Sequence, residues 1–164
     1  MLAAAALLSA TASGCVQASC HCGAVVVKIC ENATPHAQSY CHCKTCRALS
    51  GAPYMANLIF AVDQVELIGA SGADAPKLLE TQTSQHVVRK RCSSCYSPVA
   101  ASLGTKRVVV PAALFDRESL PSSWHAQHHL YYDKRIVDVD DDLPKYRGNY
   151  GGDLYQSGPG ALAK

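Results

Sequence analysis

The chain has few charged residues, and it lacks a long uninterrupted apolar segment. Charged side chains make up 17% of its 164 residues, and the formal net charge is +2. Proteins that bind nucleic acids usually present a strongly basic face, so no nucleic-acid partner is expected. No apolar run has the roughly 20 residues that a membrane-spanning helix needs, so no membrane partner is expected. Nothing in the sequence indicates an oligomeric state.

The first 14 residues lack the lysine or arginine that normally precedes the apolar body of an export signal. They are rich in alanine and leucine, so we expect a frayed or disordered leader. The segment 12–15 resembles a lipoprotein cleavage box only faintly, because alanine is a poor first residue of that box. A cytoplasmic location is therefore expected, and export through the apolar N-terminus is the alternative.

Strands rather than helices dominate the pattern of the remaining residues. Hydrophobic residues make up 48% of the chain, enough for the core of one domain. We predict a mainly β domain over residues 15–147 and a flexible, glycine- and proline-rich tail over 148–164. The predicted strands lie at 24–29, 54–62, 64–68, within 78–91, and at 99–103, 107–110, 130–132 and 136–137, with a short helix or turn at 48–53 and another helical turn within 112–120.

Cysteine is abundant, with nine residues, and most of them are closely spaced. Three fall between positions 41 and 46, while a Cys-x-Cys pair and a Cys-x-x-Cys pair bracket them. Cysteines this close favour metal ligation in a reducing compartment over disulfides. Four thiolates normally close a tetrahedral structural zinc site, whereas three leave one position open for water or substrate.

The spacing divides seven of the thiols into a set of four and a set of three, and it predicts two zinc ions per chain. The knuckle cluster, expected to hold a structural zinc, comprises Cys20, Cys22, Cys92 and Cys95. The trio cluster, expected to hold a catalytic zinc, comprises Cys41, Cys43 and Cys46. Cys30 has no close thiol neighbour in the sequence and is expected to be a buried apolar residue.

Two other metal assignments are open at this point. Both sites would be purely structural if a histidine completed the trio cluster. The candidates are His42, His125, His128 and His129. His42 lies between two ligands, where its ring tends to point away from the metal. An iron–sulfur cluster would use four thiolates and would not need the remaining ones.

An open site of three thiolates suits the activation of a sulfur nucleophile. A substrate thiol that enters the fourth position is bound as thiolate, and the thiolate is the reactive form of a thiol. Three thiolates already neutralise the charge of the metal, which makes it a poor Lewis acid for water. The expected chemistry is therefore addition of sulfur to a small aldehyde or a related electrophile.

Basic residues near the trio cluster are candidates for binding the carboxylate of a thiol such as glutathione. Lys44, Arg47 and Arg91 are the main candidates, with Arg89 and Lys90 beside them, since arginine grips a carboxylate with two parallel bonds. The alternative interpretation is that these residues are solvated surface charges. His129 is a candidate for substrate contact and proton transfer, with a packed structural histidine as the alternative. The acidic run 140–142 is expected to be a solvated turn.

Several motifs together resemble the glutathione-dependent formaldehyde-activating enzyme family, which also contains centromere protein V. The residues that carry the resemblance are 19–25 (SCHCGAV), 41–47 (CHCKTCR) followed by 50–53 (SGAP), and 92–95 (CSSC). The stretches 129–135 and 142–146 look more like the centromere protein V branch. The resemblance covers about residues 15 to 147.

This resemblance implies a β-tent, Mss4-like fold and a carbon–sulfur lyase of the S-(hydroxymethyl)glutathione synthase type. It assigns the knuckle cluster to a structural zinc and the trio cluster to the zinc at which glutathione and formaldehyde combine. The chain departs from the family pattern at two places. Tyr96 stands where a glycine is usual, in a turn that often needs a positive φ, and Arg91 replaces an aromatic residue.

The leading expectation is a zinc-dependent enzyme that adds a thiol, glutathione, to formaldehyde or another small electrophile. One alternative is a non-enzymatic zinc module for protein or chromatin association. The other is a family member that acts on a specialised metabolite. A strongly basic tail would favour the binding module, but Lys164 is the only basic residue within 148–164, which favours the enzyme.

Overall fold

The computed structural model describes residues 14–30, 32–72 and 74–156, and in these ranges the chain is mainly β. The predicted leader, apart from Gly14, and residues 157–164 of the predicted tail lie outside the described residues. Within the described ranges, ten strands form two sheets, accompanied by one α-helix and short 3₁₀ turns. The prediction of a mainly β, β-tent domain is confirmed. None of the described helices has the length and apolar character needed to cross a membrane.

The smaller sheet is antiparallel and has three strands in the order β1-β2-β5. Its strands are β1 (Cys15–Ser19), β2 (Val25–Cys30) and β5 (Val65–Gly69). Alternate residues of β2 are fully buried, as expected for a sheet with one face on the core. Strand β1 was not predicted, because Val16 is its only β-branched residue, and pairing with β2 is what holds it in place.

The larger sheet has seven strands in the order β10-β3-β4-β9-β8-β7-β6. The β3–β10 pair is parallel, and the other neighbours are antiparallel. Its strands are β3 (Ala37–Cys41), β4 (Met55–Ala61), β6 (Leu78–Ser84), β7 (Val87–Cys92), β8 (Pro98–Leu103), β9 (Arg107–Pro111) and β10 (His128–Leu130).

Most predicted strands are confirmed, but one helix and two strands differ from their predicted positions. The strand predicted at 130–132 lies instead at His128–Leu130, because Tyr131 takes a left-handed conformation with φ of 55°. The helix α1 spans Lys44–Ser50 rather than 48–53, because the Cys43 thiol caps its first turn and Gly51, with φ of 66°, ends it. The strand predicted at 136–137 is wrong. A 3₁₀ turn at Tyr132–Lys134 directs the chain away from the sheet, and the side chain of Ile136 remains 63% exposed.

The core lies between the two sheets. Val27 and Ile29 of β2 pack in one buried cluster with Phe60 of β4 and with Trp124, whose ring meets the Phe60 ring edge to face. The Trp124 indole donates a hydrogen bond to the carbonyl oxygen of Ala33 at 3.2 Å, so its one polar group is satisfied. This core fixes the strand ends that carry the thiols.

The described part of the predicted tail is hydrogen-bonded to the domain. Tyr146 and Leu154 form an isolated antiparallel bridge, and the Tyr155 backbone N–H donates to the carbonyl oxygen of Lys145 at 2.6 Å. The Arg135 guanidinium lies 4.4 Å from the centre of the Tyr155 ring and donates to the Tyr155 hydroxyl. Residues up to 156 therefore contribute to the surface of the domain.

Candidate functional site

The knuckle cluster brings together four sulfur atoms, all within 4.8 Å of one another. The Sγ of Cys22 lies 3.7 Å from that of Cys20 and 3.7 Å from that of Cys92. Zinc–sulfur bonds of about 2.3 Å in a tetrahedron separate two ligand sulfurs by about 3.8 Å. The spacing of these four residues is therefore compatible with the binding of one zinc ion.

Two turns from different sheets build the knuckle cluster. Cys20 and Cys22 lie in the turn between β1 and β2, where Gly23 takes a left-handed conformation with φ of 76°. Cys92 ends β7, and Cys95 lies in the turn to β8. Backbone N–H groups point at the sulfurs, including that of Val25 at 3.3 Å from Cys20 Sγ. Such N–H groups stabilise the negative charge of a thiolate.

Hydrogen bonds also favour the charged form of Cys95. The side chain of Ser97 lies 3.3 Å from the Cys95 sulfur. Hydrogen bonding from the Ser97 side chain and backbone lowers the pKa of the Cys95 thiol to about 5. A ligand that is deprotonated at neutral pH is ready to bind a metal.

Tyr96 retains the left-handed turn that glycine would usually form. Its φ is 61°, its backbone N–H donates to the carbonyl oxygen of Cys92 at 3.0 Å, and its side chain is 61% exposed. The turn therefore keeps the positive φ that is usual at this position. The tyrosine accepts a strained backbone conformation.

The trio cluster is assembled from one short segment of chain. Cys41 ends β3, Cys43 is the N-cap of α1, and Cys46 lies in the first turn of that helix. Their sulfur atoms lie within 4.8 Å of one another, and Cys41 and Cys46 are buried. Among the described residues, no histidine or carboxylate joins this group. The arrangement therefore fits a zinc with three protein ligands and an open fourth position.

Hydrogen bonds among the three thiols shift their pKa values in different directions. Cys43 accepts hydrogen bonds from the thiols of Cys41 and then Cys46, which lower its pKa to about 2. The hydrogen bonds with Cys43 and Cys46 and then burial raise the pKa of Cys41 far above its usual value. Cys43 is also the least buried of the three thiols.

Two polar side chains face the sulfur of Cys46. Arg89 of β7 places Nη2 at 3.7 Å from this sulfur, and Asn57 of β4 places Nδ2 at 3.9 Å. Three thiolates bring three negative charges to one divalent cation, so a guanidinium beside them offsets the excess. Arg89 was predicted only as one of several basic neighbours. Asn57 was not predicted, because it lies in an otherwise apolar strand without a distinguishing pattern.

Tyr131 also packs against the trio cluster. Its φ is 55°, and its hydroxyl donates to the side-chain oxygen of Asn149 at 2.6 Å. Burial, followed by the negative charges of Cys41 and Cys43, raises the pKa of the phenol. The predicted strand at 130–132 includes Tyr131, and no local pattern in the sequence identifies it as a site residue.

His129 lies behind the trio cluster in a fully buried position. Its ring nitrogens lie 2.9 Å from Nε2 of His42 and 2.9 Å from a carboxylate oxygen of Asp141. Lys145 donates to the same carboxylate at 2.7 Å. The prediction of a solvated acidic turn is therefore wrong for Asp141, which lies in a chain of hydrogen bonds.

The charges in this chain follow from its partners. Burial raises the pKa of Asp141, but hydrogen bonds from Lys145 and His129 outweigh it, so the pKa lies below its usual value. The Asp141 carboxylate accepts a hydrogen bond from the N–H at His129 Nε2, which leaves His129 Nδ1 to accept a hydrogen bond from the N–H at His42 Nε2. Burial and then the charges of His129 and Arg135 lower the pKa of His42 to about 4. Within the described ranges, Nδ1 of His42 has no hydrogen-bond partner.

The predicted carboxylate-binding residues lie around helix α1. Lys44 and Arg47 line an open depression together with Pro53 and Ile136. Arg47 Nε donates to the carbonyl oxygen of His42 at 3.0 Å, which fixes the base of its side chain. Arg91 instead donates to the carbonyl oxygen of Leu49 at 3.2 Å and so secures the end of the helix.

Comparison with known proteins places these clusters in a family. The model of the family described as "Glutathione-dependent formaldehyde-activating enzyme" matches residues 15–134. Curated proteins give no match. A solved structure of a Rhodobacter sphaeroides protein, determined as a structural-genomics target, is similar with 16% sequence identity and a TM-score of 0.45, covering 62% of this chain and 88% of that one.

The family match includes all seven residues of the two clusters and most of both sheets. The resemblance seen in the cysteine spacing is thereby confirmed. This chain belongs to the glutathione-dependent formaldehyde-activating enzyme family.

Proposed function

We propose that this protein is a carbon–sulfur lyase that reversibly joins the thiol of glutathione to formaldehyde at a zinc ion held by the trio cluster. The observation that carries the proposal is the set of three converging thiols with no fourth side-chain ligand among the described residues. A family whose name specifies glutathione-dependent formaldehyde activation supports the choice of both substrates. A cytoplasmic location is part of the proposal, because clustered thiols need a reducing compartment.

The two clusters have separate roles in this proposal. The knuckle cluster supplies four ligands and holds a second zinc that stabilises the fold, whereas the trio cluster leaves one position for the substrate. Zinc at the trio cluster would bind the entering sulfur as thiolate and so make it nucleophilic at neutral pH. Arg89 and Asn57 offset the negative charge on the Cys46 side of that position.

The addition forms one carbon–sulfur bond and converts the aldehyde oxygen to a hydroxyl. The proton that the thiol loses is equivalent to the proton that the oxygen gains, so the reaction needs no redox partner. Tyr131 is the proposed proton donor to that oxygen, because its ring packs against the trio cluster and a phenol carries its proton at neutral pH. His129 is fully buried, so its proposed role is to position His42 and the adjoining ligands.

The carboxylates of glutathione are assigned to the depression beside helix α1. Lys44 is exposed at the start of the helix, and the base of the Arg47 side chain is already held by its bond to the His42 carbonyl oxygen. A guanidinium held in place loses less conformational entropy on binding than a free one. Arg91 contributes through the end of the helix, because its Nη2 is engaged with Leu49.

The test is exchange NMR of carbon-labelled formaldehyde with glutathione, with and without the zinc-loaded protein. Acceleration by the wild type that disappears in Cys43→Ser would support thiol–aldehyde chemistry at the trio cluster. No acceleration by protein with two zinc ions bound would contradict the proposed substrate pair. It would then favour another electrophile or a binding role.

Tyr131→Phe separates the proposed proton transfer from substrate binding. This variant keeps the ring against the thiols and removes only the hydroxyl. We expect the exchange rate at saturating substrate to fall about 10²-fold, within the usual range for general acid catalysis, with little change in the glutathione concentration that gives half the maximal rate. An unchanged rate would remove Tyr131 from the mechanism.

A further inference from the structure

Two cysteines, Cys15 and Cys30, belong to neither cluster. Their sulfur atoms lie 3.9 Å apart on the neighbouring strands β1 and β2. We propose that this pair is a redox site, which forms a reversible disulfide by exchange with a small disulfide such as oxidised glutathione. The inference depends only on this pair and holds whether or not the proposed function is correct.

The backbone already has the spacing that a disulfide requires. Cys15 and Cys30 are direct partners in an antiparallel register, so their side chains leave the sheet on the same face. Directly opposed residues in antiparallel strands have Cα atoms about 4.5 or 5.5 Å apart, depending on the hydrogen-bonding pattern. Both values lie within the range of about 4.4–6.8 Å found in disulfides, so the bond forms without moving either strand.

The pair lies on the outer face of the small sheet. The neighbouring register pair, Val16 and Ile29, points into the core, and the alternation of a strand turns the cysteines to the other side. Cys30 is exposed and Cys15 is half-buried. The prediction that Cys30 is a buried apolar residue is therefore wrong, because it lies at the end of β2 and on its solvent face.

The exchange proceeds in two balanced steps. The Cys30 thiolate attacks one sulfur of oxidised glutathione, which forms a mixed disulfide and releases one glutathione thiolate. The Cys15 thiolate then attacks the Cys30 sulfur, which closes the protein disulfide and releases the second glutathione. In total, two protein thiols are oxidised, one small disulfide is reduced, and the two protons pass to the released thiols.

The location of the pair gives the disulfide a structural consequence. Cys15 and Cys30 lie at the open end of the β1–β2 hairpin, while the turn between these strands carries Cys20 and Cys22 of the knuckle cluster. Within the described residues, β1 is an edge strand that pairs only with β2. A disulfide would close a loop that contains both ligands and would limit the opening of the hairpin from its free end.

Peptide mapping of the zinc-loaded full chain tests the proposal. The protein is incubated with oxidised glutathione, its remaining thiols are alkylated, and it is digested with trypsin and a glutamate-specific protease without reduction. Cleavage after Lys28 and Glu31 releases residues 29–31, in which Cys30 is the only cysteine. We expect this tripeptide to be linked to residues 1–28 in the wild type, with the link absent in Cys15→Ser.

Thermal unfolding and the rate of zinc loss distinguish a stabilising Cys15–Cys30 disulfide from accidental oxidation. In the wild type, oxidation should leave the zinc content unchanged, raise the thermal midpoint by about 5–10 °C, and slow zinc loss to a chelator several-fold. Cys15→Ser and Cys30→Ser should show neither change. A stable glutathione adduct on Cys30, a link to Cys20 or Cys22 with loss of zinc, or a disulfide between two chains would each overturn the proposal.

Discussion

The knuckle cluster and the trio cluster use the same ligand in opposite ways. The knuckle cluster joins residues 70 positions apart, as in the contact between Cys22 and Cys92, and it ties a turn of the small sheet to a turn of the large one. The trio cluster takes all its ligands from the end of β3 and the first turn of α1. The first closes a long stretch of chain, whereas the second adds little to the connection between sheets.

The surroundings of the clusters differ in the same sense. Backbone N–H groups are the main donors to the knuckle sulfurs, and they are fixed by the turns themselves. The trio cluster has side chains around it as well, including Arg89, Asn57 and Tyr131. Side chains can respond to a ligand, while backbone groups in a tight turn cannot. This contrast supports the proposed roles, in which the knuckle cluster stabilises the fold and the trio cluster carries the chemistry.

The largest expected effect comes from removing a knuckle ligand. Cys92→Ser should release the structural zinc and unfold the domain, because metal binding of this kind contributes about 10 kcal/mol or more to folding. Cys92 is also completely buried in the core cluster. Circular dichroism and zinc content of the purified protein would check the prediction. A soluble, folded Cys92→Ser protein would contradict the proposal that the fold depends on zinc at the knuckle cluster.

Cys43→Ser is the matched change in the trio cluster. It should lower the exchange rate at least about 10²-fold, since even residues that only support a metal ligand contribute 10- to 100-fold. Cys43 caps a helix of only seven residues, and serine is itself a favourable cap, so the thermal midpoint should change by no more than a few degrees. Unfolding of this variant would show that the trio cluster is structural too.

A chelator should remove zinc from the two clusters at different rates. A site with three protein ligands releases its metal more readily than a closed site with four, so a mild chelator should remove zinc from the trio cluster first. The exchange activity would then be lost while circular dichroism still reports a folded chain. Simultaneous loss of activity and fold would indicate that the two sites are not independent.

Removing the charge beside Cys46 should weaken the trio cluster alone. Arg89→Met keeps most of the volume and leaves the negative charge of the thiolates without its partner, and we expect activity to fall about 10-fold. Arg89→Lys should recover part of this loss. Lys90→Met is the control, because Lys90 is the next residue of the same strand but pairs with Glu80 at 3.1 Å. Equal effects at positions 89 and 90 would exclude a specific role for Arg89.

Acid should destabilise the chain through His42, which lies between two trio ligands. Its pKa is about 4 in the folded chain against 6.5 ordinarily, so between these values the unfolded chain binds a proton that the folded chain does not. The free energy of unfolding should therefore fall as the pH drops from 6.5 to 4, by on the order of 2–3 kcal/mol. Urea titrations at several pH values, with zinc content measured at each, would show a weaker dependence in His42→Gln.

The cysteine spacing predicted the division into two clusters, because ligand number and proximity along the chain are visible in a sequence. It did not reveal Asn57 or Tyr131, since their approach to the trio cluster depends on how β4 and the segment after β10 pack. Strand β2 was predictable from its valines, while β1 depends on pairing for its existence. Cys30 was misassigned because its thiol neighbour, Cys15, is distant in the sequence and adjacent only across the hairpin.

The smallest effect concerns the backbone beside each cluster. Among the described residues, Tyr96 and Tyr131 are the non-glycine residues with positive φ, and one lies next to each cluster. Such a conformation costs about 1–3 kcal/mol, so each tyrosine places a strain on the backbone beside its cluster. The side chain of Tyr96 is largely exposed, whereas that of Tyr131 packs against the thiols. Replacing the two tyrosines should therefore have different effects on activity.

Tyr96→Gly should relieve the strain in the knuckle turn and stabilise the chain by about 0.5–1 kcal/mol, because the greater entropy of glycine in the unfolded state cancels part of the gain. Tyr96→Ala, which keeps a Cβ, is the control and should give no stabilisation. Tyr131→Gly should relieve similar strain but lose the packing and the hydroxyl beside the trio cluster, so that activity falls whatever happens to stability. Urea denaturation and the exchange assay on both glycine variants test the contrast. A loss of activity in Tyr96→Gly would mean that the knuckle turn also serves the reaction.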